Sequence, residues 1–205
     1  LTPWKPEHFP SITDPEQIAP LLRDMYGYRG SFEVQCALKM APHVFLRPGE
    51  LRLAEWCEFD LGAAKWEIPA ERMKMKQPHI VPLSRQVLEV LEELRPLTGE
   101  GVYVFKGQRP GKPLSDGTIN KALRTLGYST KDEITAHGFR AMARTVLDEV
   151  LGFRVEWIEH QLAHAVRDAN GRAYNRTAHL EGRRQMMQAW SDYLDSLRVP
   201  TEEVD

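Results

Sequence analysis

The chain has 205 residues and a formal net charge of −2, long enough to bury a full hydrophobic core without disulfide or metal staples. Its two cysteines, Cys36 and Cys57, show neither CxxC nor Cys/His spacing; they exclude a disulfide framework or cysteine zinc site and read as buried thiols of a reducing compartment. No apolar run approaches a membrane span, and the opening "LTPWKPEHFP" lacks the basic start and apolar stretch of a signal peptide, so a soluble, cytoplasmic protein is expected.

The first element is a helix from Pro15 to about Met25, with Asp14 as N-cap, Pro15 at the first helical position and Gln17 three residues after the cap. "FEVQCALKMAPHVFL" spaces Phe32, Cys36, Leu38 and Met40 as a second helix ending near Pro42 or just beyond, and Pro48 restarts a third with Arg47 before its first turn. Two short strands, about Lys65 to Ile68 and His79 to Pro82, form a small hairpin around a basic loop. "RQVLEVLEELRPL" is an amphipathic helix; "LSDGTINKALRTLGY" is another, capped by Ser115 and stopped by Gly127. Helices in "TAHGFRAMARTVLDEVLG", "VEWIEHQLA" and "EGRRQMMQAWSDYLDSL" follow. The fold class is therefore mainly α with a small antiparallel β-sheet, one domain over residues 1–199 and a loose acidic tail at 200–205. Because the chain opens on Leu1 rather than methionine, it is expected to be a cut from something longer.

The slight net negative charge leaves the partner class open, but the distribution is uneven. Between Ile134 and Arg184 there are eight arginines and four histidines against six acids. Within that span Tyr174 stands among Arg167, Arg172 and Arg176, ten residues after His164. A phenolate beside guanidinium groups can attack phosphorus while the same groups hold the phosphate; the plain alternative is a surface tyrosine on a basic helix.

Four separated stretches share this chemistry: "LRPGEL" with Arg47, "RMKMKQPHIVPL" with Lys74, "HGFR" with His137 and Arg140, and "QLAH…AYNR" with His164 and Tyr174. As an ordered set, from about Ile12 to Leu197, they resemble the catalytic domain of the tyrosine recombinases, especially the prophage-type integrases. The resemblance implies that fold and site-specific DNA recombination through a 3′-phosphotyrosyl intermediate. It implies Arg47 and Arg140 as phosphate clamps, Lys74 as general acid, His137 and His164 as proton-handling or phosphate-contacting groups, and Tyr174 as nucleophile. It further implies double-stranded DNA with attachment-site-like sequences as partner, a synaptic tetramer, DNA-binding modules outside this chain, and no cofactor. One departure is Ala163, where many relatives carry a glycine before the second histidine.

The chemistry stands without the family. Attack on a phosphodiester concentrates charge on its nonbridging oxygens, which two arginines can neutralise without a metal. Each residue also has a plainer role: Arg47 an ion pair with Glu50 or Glu55, His137 a helix cap, Arg140 a surface charge, and Lys74 or Lys76 a solvated hairpin tip. Counting seven residues back from Val81, as the resemblance suggests, favours Lys74 over Lys76. His160 and His164 form an HxxxH pair, but Gln161 replaces the glutamate of HExxH and no third ligand stands out, so His160 reads as a core histidine. The rivals in function are a type IB topoisomerase-like enzyme, which reseals the same strand, and a DNA-binding regulator that forms no adduct.

Overall fold

The computed structural model describes residues 9–164 and 179–199. The helices are α1 (Pro15–Tyr26), α2 (Phe32–Val44), α3 (Pro48–Arg52), α4 (Arg85–Thr98), α5 (Thr118–Thr125), α6 (Gly138–Glu149), α7 (Val155–Gln161) and α8 (Leu180–Arg198), and the strands β1 (Phe59–Asp60), β2 (Lys65–Ile68) and β3 (His79–Pro82). The Asp14 carboxylate caps α1 by accepting the Glu16 N–H at 3.0 Å. Helix α2 is the hub, packing against α1, α3, α4, α5, α6 and α8. Its long buried run from Cys36 to Val44 is what a helix surrounded by neighbours requires.

The two expected strands occur at the expected residues, antiparallel, with Trp66 opposite Val81. A third strand, β1, extends the hairpin to a three-stranded sheet in the order β1-β2-β3. It escaped the sequence because two residues carry no readable alternation. Strand β3 is buried throughout and packs on α8, anchoring the loop that carries Lys74 and Lys76.

Helix α8 folds back onto its own core, with Met186, Met187, Trp190 and Leu194 buried. Trp190 Nε1–H donates to the Pro42 carbonyl at 2.8 Å, so even its polar atom is satisfied. At the start of α8 the fully buried Arg183 guanidinium donates to Gln161 of α7 and to the Ile80 carbonyl of β3. The end of α7, the sheet and the start of α8 are thereby tied together.

Two expectations need correction. Cys36 is buried, but Cys57 is exposed in the turn Trp56–Glu58, its Sγ 3.7 Å from the Glu55 carboxylate. The flanking Trp56 and Phe59 supply the burial, and the cysteine between them faces out. Helix α5 starts later than Ser115: Gly117 takes the N-cap position, and the Ser115 hydroxyl meets the Thr118 hydroxyl at 2.8 Å. Residues 115–117 form a turn that delays the helix. Gly127 ends it in left-handed backbone at φ 99°, as expected.

Candidate active site

Arg47 is placed by the break between α2 and α3. Phe45 turns left-handed at φ 37°, and Arg47 in extended backbone then caps α3, whose first residue is Pro48. The Glu50 carboxylate reaches back to accept the Arg47 N–H at 3.1 Å and its Nη1–H at 2.9 Å. The ion pair weighed from the sequence is therefore present, and it is nearly buried: Glu50 is 4% exposed and Arg47 17%. A buried carboxylate so engaged fixes Arg47 rather than consuming it, because it takes only one of the guanidinium's five N–H groups.

Glu50 also reaches the hairpin. Its Oε1 lies 3.5 Å from the Lys74 backbone nitrogen, and Arg72 Nη2–H donates to its carbonyl at 3.0 Å. Arg72 pairs in turn with the buried Glu58 at 3.0 Å. The two hairpin lysines are thereby distinguished. Lys76, at φ 54°, folds its ammonium onto the Glu71 carbonyl at 3.1 Å, whereas the Lys74 main chain is docked beside Arg47.

His137 and Arg140 lie at the start of α6, His137 at the N-cap. The Phe9 ring lies against the His137 imidazole, centroids 4.2 Å apart and planes tilted by 42°. The segment after Phe9 crosses the helix start: the Pro10 carbonyl accepts the Thr135 N–H at 3.2 Å and the Ser11 hydroxyl donates to the Gly138 carbonyl at 2.8 Å. A Cβ at Gly138 would stand 2.2 Å from the Pro10 oxygen, so glycine is required here by close approach. Burial lowers the His137 pKa, and the charges of Arg140, Arg47 and Lys74 lower it further.

Arg140 is 5% exposed. Its Nη1–H donates to the Phe45 carbonyl at 3.1 Å, and its Nη2–H groups to the Leu162 carbonyl at 2.7 Å and the His164 Nε2 at 3.1 Å. Among the described residues it makes no ion pair with a carboxylate. Burial, then the Arg47 charge, push its pKa down to about 10, with Glu50 and Glu159 opposing.

His164 follows α7. The α7 end is a Schellman motif: Ala163 N–H bonds to the His160 carbonyl at 3.1 Å and His164 N–H to the Glu159 carbonyl at 3.1 Å, with Ala163 left-handed at φ 49°. The glycine expected at Ala163 answers a backbone demand, which alanine meets with strain. The same turn sets the His164 Nδ1 at 2.6 Å from the Glu159 carboxylate, while Arg144 Nε–H donates to the other Glu159 oxygen at 3.0 Å. Glu159 had no role in the sequence reading; a carboxylate five residues before a histidine at a helix end was the signal. His160 is a buried core histidine, as expected. Tyr174 lies outside the described residues. Among those described, no group of three His, Cys, Asp or Glu side chains could hold a metal ion.

Arg47, Arg140, His137, His164 and the Lys74 loop thus come to one place from α3, α6, the α7 end and the hairpin. Residues 12–180 match the phage integrase family. The chain belongs to that family. This integrase-family chain is 40% identical over 212 residues to the integrase of Enterobacteria phage P4, a match covering 97% of this chain and 48% of that protein. It thus spans about half the length of the curated relatives it matches. Its fold is that of an integrase of mycobacterium phage Brujita, with a TM-score of 0.69 at 18% identity, covering 98% of this chain and 63% of that one. A lambda integrase dimer bound to a COC′ core site is also similar, at TM-score 0.59 and 19% identity, covering 83% of this chain and 51% of that one.

Proposed function

We propose that this chain is the catalytic portion of a tyrosine site-specific recombinase acting on duplex DNA. The Tyr174 hydroxyl passes its proton to one of the site histidines, His137 or His164, and attacks the scissile phosphorus, forming a 3′-phosphotyrosyl ester as the bond to the 5′-oxygen breaks. Lys74 protonates the departing oxygen to a 5′-hydroxyl. Arg47 and Arg140 hold the nonbridging oxygens as their charge grows, and His137 and His164 serve the same phosphate. A 5′-hydroxyl from another duplex then attacks the ester and frees Tyr174. The ester keeps the energy of the broken bond, so the scheme needs neither ATP nor a metal ion.

The observation that carries this reading is Arg140: a guanidinium 5% exposed, held by two backbone carbonyls and an imidazole, with the Arg47 charge acting on it and, among the described residues, no carboxylate paired with it. Phosphate is the anion that suits such a paired fork. The family supports DNA as the source of that phosphate, and the lambda integrase dimer on its core site supports duplex DNA as partner. Assembly of four protomers on two attachment-site-like duplexes is part of the proposal, since strand exchange needs two pairs of breaks.

The test is incubation with a duplex nicked beside the scissile phosphate, so that the short 5′-hydroxyl strand diffuses away, followed by addition of a foreign 5′-hydroxyl strand. The account expects a covalent adduct on a denaturing gel and its conversion to a recombinant strand. An adduct that rejoins only its original strand would indicate a topoisomerase, and no adduct a binding protein.

A further inference from the structure

Helix α7 ends so that one residue bonds the same neighbour twice. The His164 N–H donates to the Glu159 carbonyl at 3.1 Å, and its ring Nδ1 sits 2.6 Å from the Glu159 Oε2. A carboxylate is acceptor only, so Nδ1 must carry a proton. On the other edge of the ring, Nε2 lies 3.1 Å from Arg140 Nη2, and a guanidinium is donor only. In the DNA-free chain Nε2 is therefore an unprotonated acceptor. Both neighbours demand the same tautomer, and neither tolerates the other.

We infer that Glu159 is a positioning residue for the proposed phosphate site: it fixes His164 as the Nδ1–H tautomer and turns the Nε2 lone pair to the buried guanidinium of Arg140. The inference rests on the reading of His164 as a group that serves the scissile phosphate. Arg140 spends an Nη2–H on His164 until an anion arrives, so the imidazole occupies a donor that a phosphate oxygen would take. When phosphate displaces it, His164 can meet an oxygen only by taking a proton on Nε2. A carboxylate on Nδ1 is the group that stabilises the resulting imidazolium. Among the described residues, the charged groups facing the ring are Arg140 and Arg144 from α6 and Glu159 from α7, with Asp148 on Arg144 and Arg47 and Glu50 beyond Arg140.

Geometry makes Glu159 specific. Its two oxygens divide the work, Oε1 taking Arg144 Nε–H at 3.0 Å and Oε2 taking the imidazole. Arg144 keeps a second partner in Asp148 at 3.2 Å, so loss of Glu159 leaves Arg144 paired but Nδ1 without its acceptor. Because C′ of the Schellman motif is left-handed, the backbone itself lays His164 over Glu159.

The test uses Glu159→Leu, Arg144→Gln, His164→Ala and the double variant Glu159→Leu/His164→Ala. Proton and nitrogen-15 NMR of the histidine-labelled, DNA-free chain should show a slowly exchanging, hydrogen-bonded Nδ1–H on His164 in wild type and Arg144→Gln, and its loss to fast solvent exchange in Glu159→Leu. Single-turnover adduct formation on nicked DNA should slow by about tenfold or more in Glu159→Leu, up to the 10²–10⁴ that a positioned proton-handling group supplies. The Glu159 change should add nothing once His164 is alanine. A slowly exchanging Nδ1–H kept in Glu159→Leu would overturn the inference, as would slowing that persists in the His164→Ala background or that Arg144→Gln reproduces. If wild type forms no adduct, the recombinase reading fails, while the NMR arm still decides whether Glu159 holds the His164 Nδ1–H.

Discussion

Arg140→Lys separates a phosphate clamp from a structural cation, because it keeps the charge and removes the fork. The guanidinium makes three described bonds, to Phe45 O at 3.1 Å, Leu162 O at 2.7 Å and His164 Nε2 at 3.1 Å. One ammonium on a shorter stem can hold one of the two carbonyls and leaves the other without a charged donor. That loss is about 1.5–3 kcal/mol. Set against a total stability of roughly 5–15 kcal/mol, the fold survives. The chemical step loses one guanidinium donor on the charge growing at phosphorus, about 3 kcal/mol or some two decades in rate. Binding, which counts charges rather than forks, stays near wild type with an unchanged salt slope. Thermal unfolding, salt-dependent binding and single-turnover cleavage on nicked DNA measure the three effects separately. A folded Arg140→Lys variant that cleaves at the wild-type rate would refute the clamp, and equal losses in binding and cleavage would make Arg140 a simple anchor.

Replacing the bridging 5′-oxygen of the scissile phosphate by sulfur should rescue cleavage by Lys74→Ala, because a thiolate, from a thiol of pKa about 8.5, leaves without a donated proton; rescue of Lys76→Ala in its place would move the general acid to Lys76. Ala163→Gly removes the strain of alanine at φ 49° and should stabilise the fold by about 1 kcal/mol, read as a higher urea midpoint, and a lower midpoint would contradict the strain. His43, 1% exposed, is pushed from its ordinary 6.5 down to about 4 by burial. Above the ordinary value both states are neutral; as pH falls toward 4 the unfolded chain takes up a proton that the folded one refuses, so stability drops by about 2 kcal/mol between pH 7 and 5. His79, also depressed by burial, steepens the same slope. His43→Gln should flatten the slope, and an unchanged pH dependence would show that His43 does not titrate this way.

Most helices were legible because their signals are local. Asp14 with Pro15, Pro48 after Arg47, and the helical stretch "TAHGFRAMARTVLDEVLG" each report on residues within a turn or two, and each holds. What escaped was too short or too distant. Strand β1 is two residues long, and the exposure of Cys57 depends on its aromatic neighbours turning inward. In the site, the residue types of Arg47, His137, Arg140 and His164 were readable, and Glu50 was weighed as a partner of Arg47, but the longer-range contacts that hold them were not. Glu50 serves Arg47 and the Lys74 loop 24 residues away, and Arg140 spans to Phe45 across 95. Glu159 is the instructive miss, since its tie to His164 is local but needs the left-handed turn at Ala163.

The central claim is that Tyr174 becomes covalently bonded to DNA. The direct measurement is to trap the adduct on nicked duplex, digest protein and DNA, and identify the modified residue by mass spectrometry, with Tyr174→Phe alongside. The account predicts a phosphonucleotide on Tyr174, joined through the DNA 3′ end, and no adduct from Tyr174→Phe although that variant still binds DNA. An adduct on any other residue, or one formed by Tyr174→Phe at the wild-type level, would contradict it.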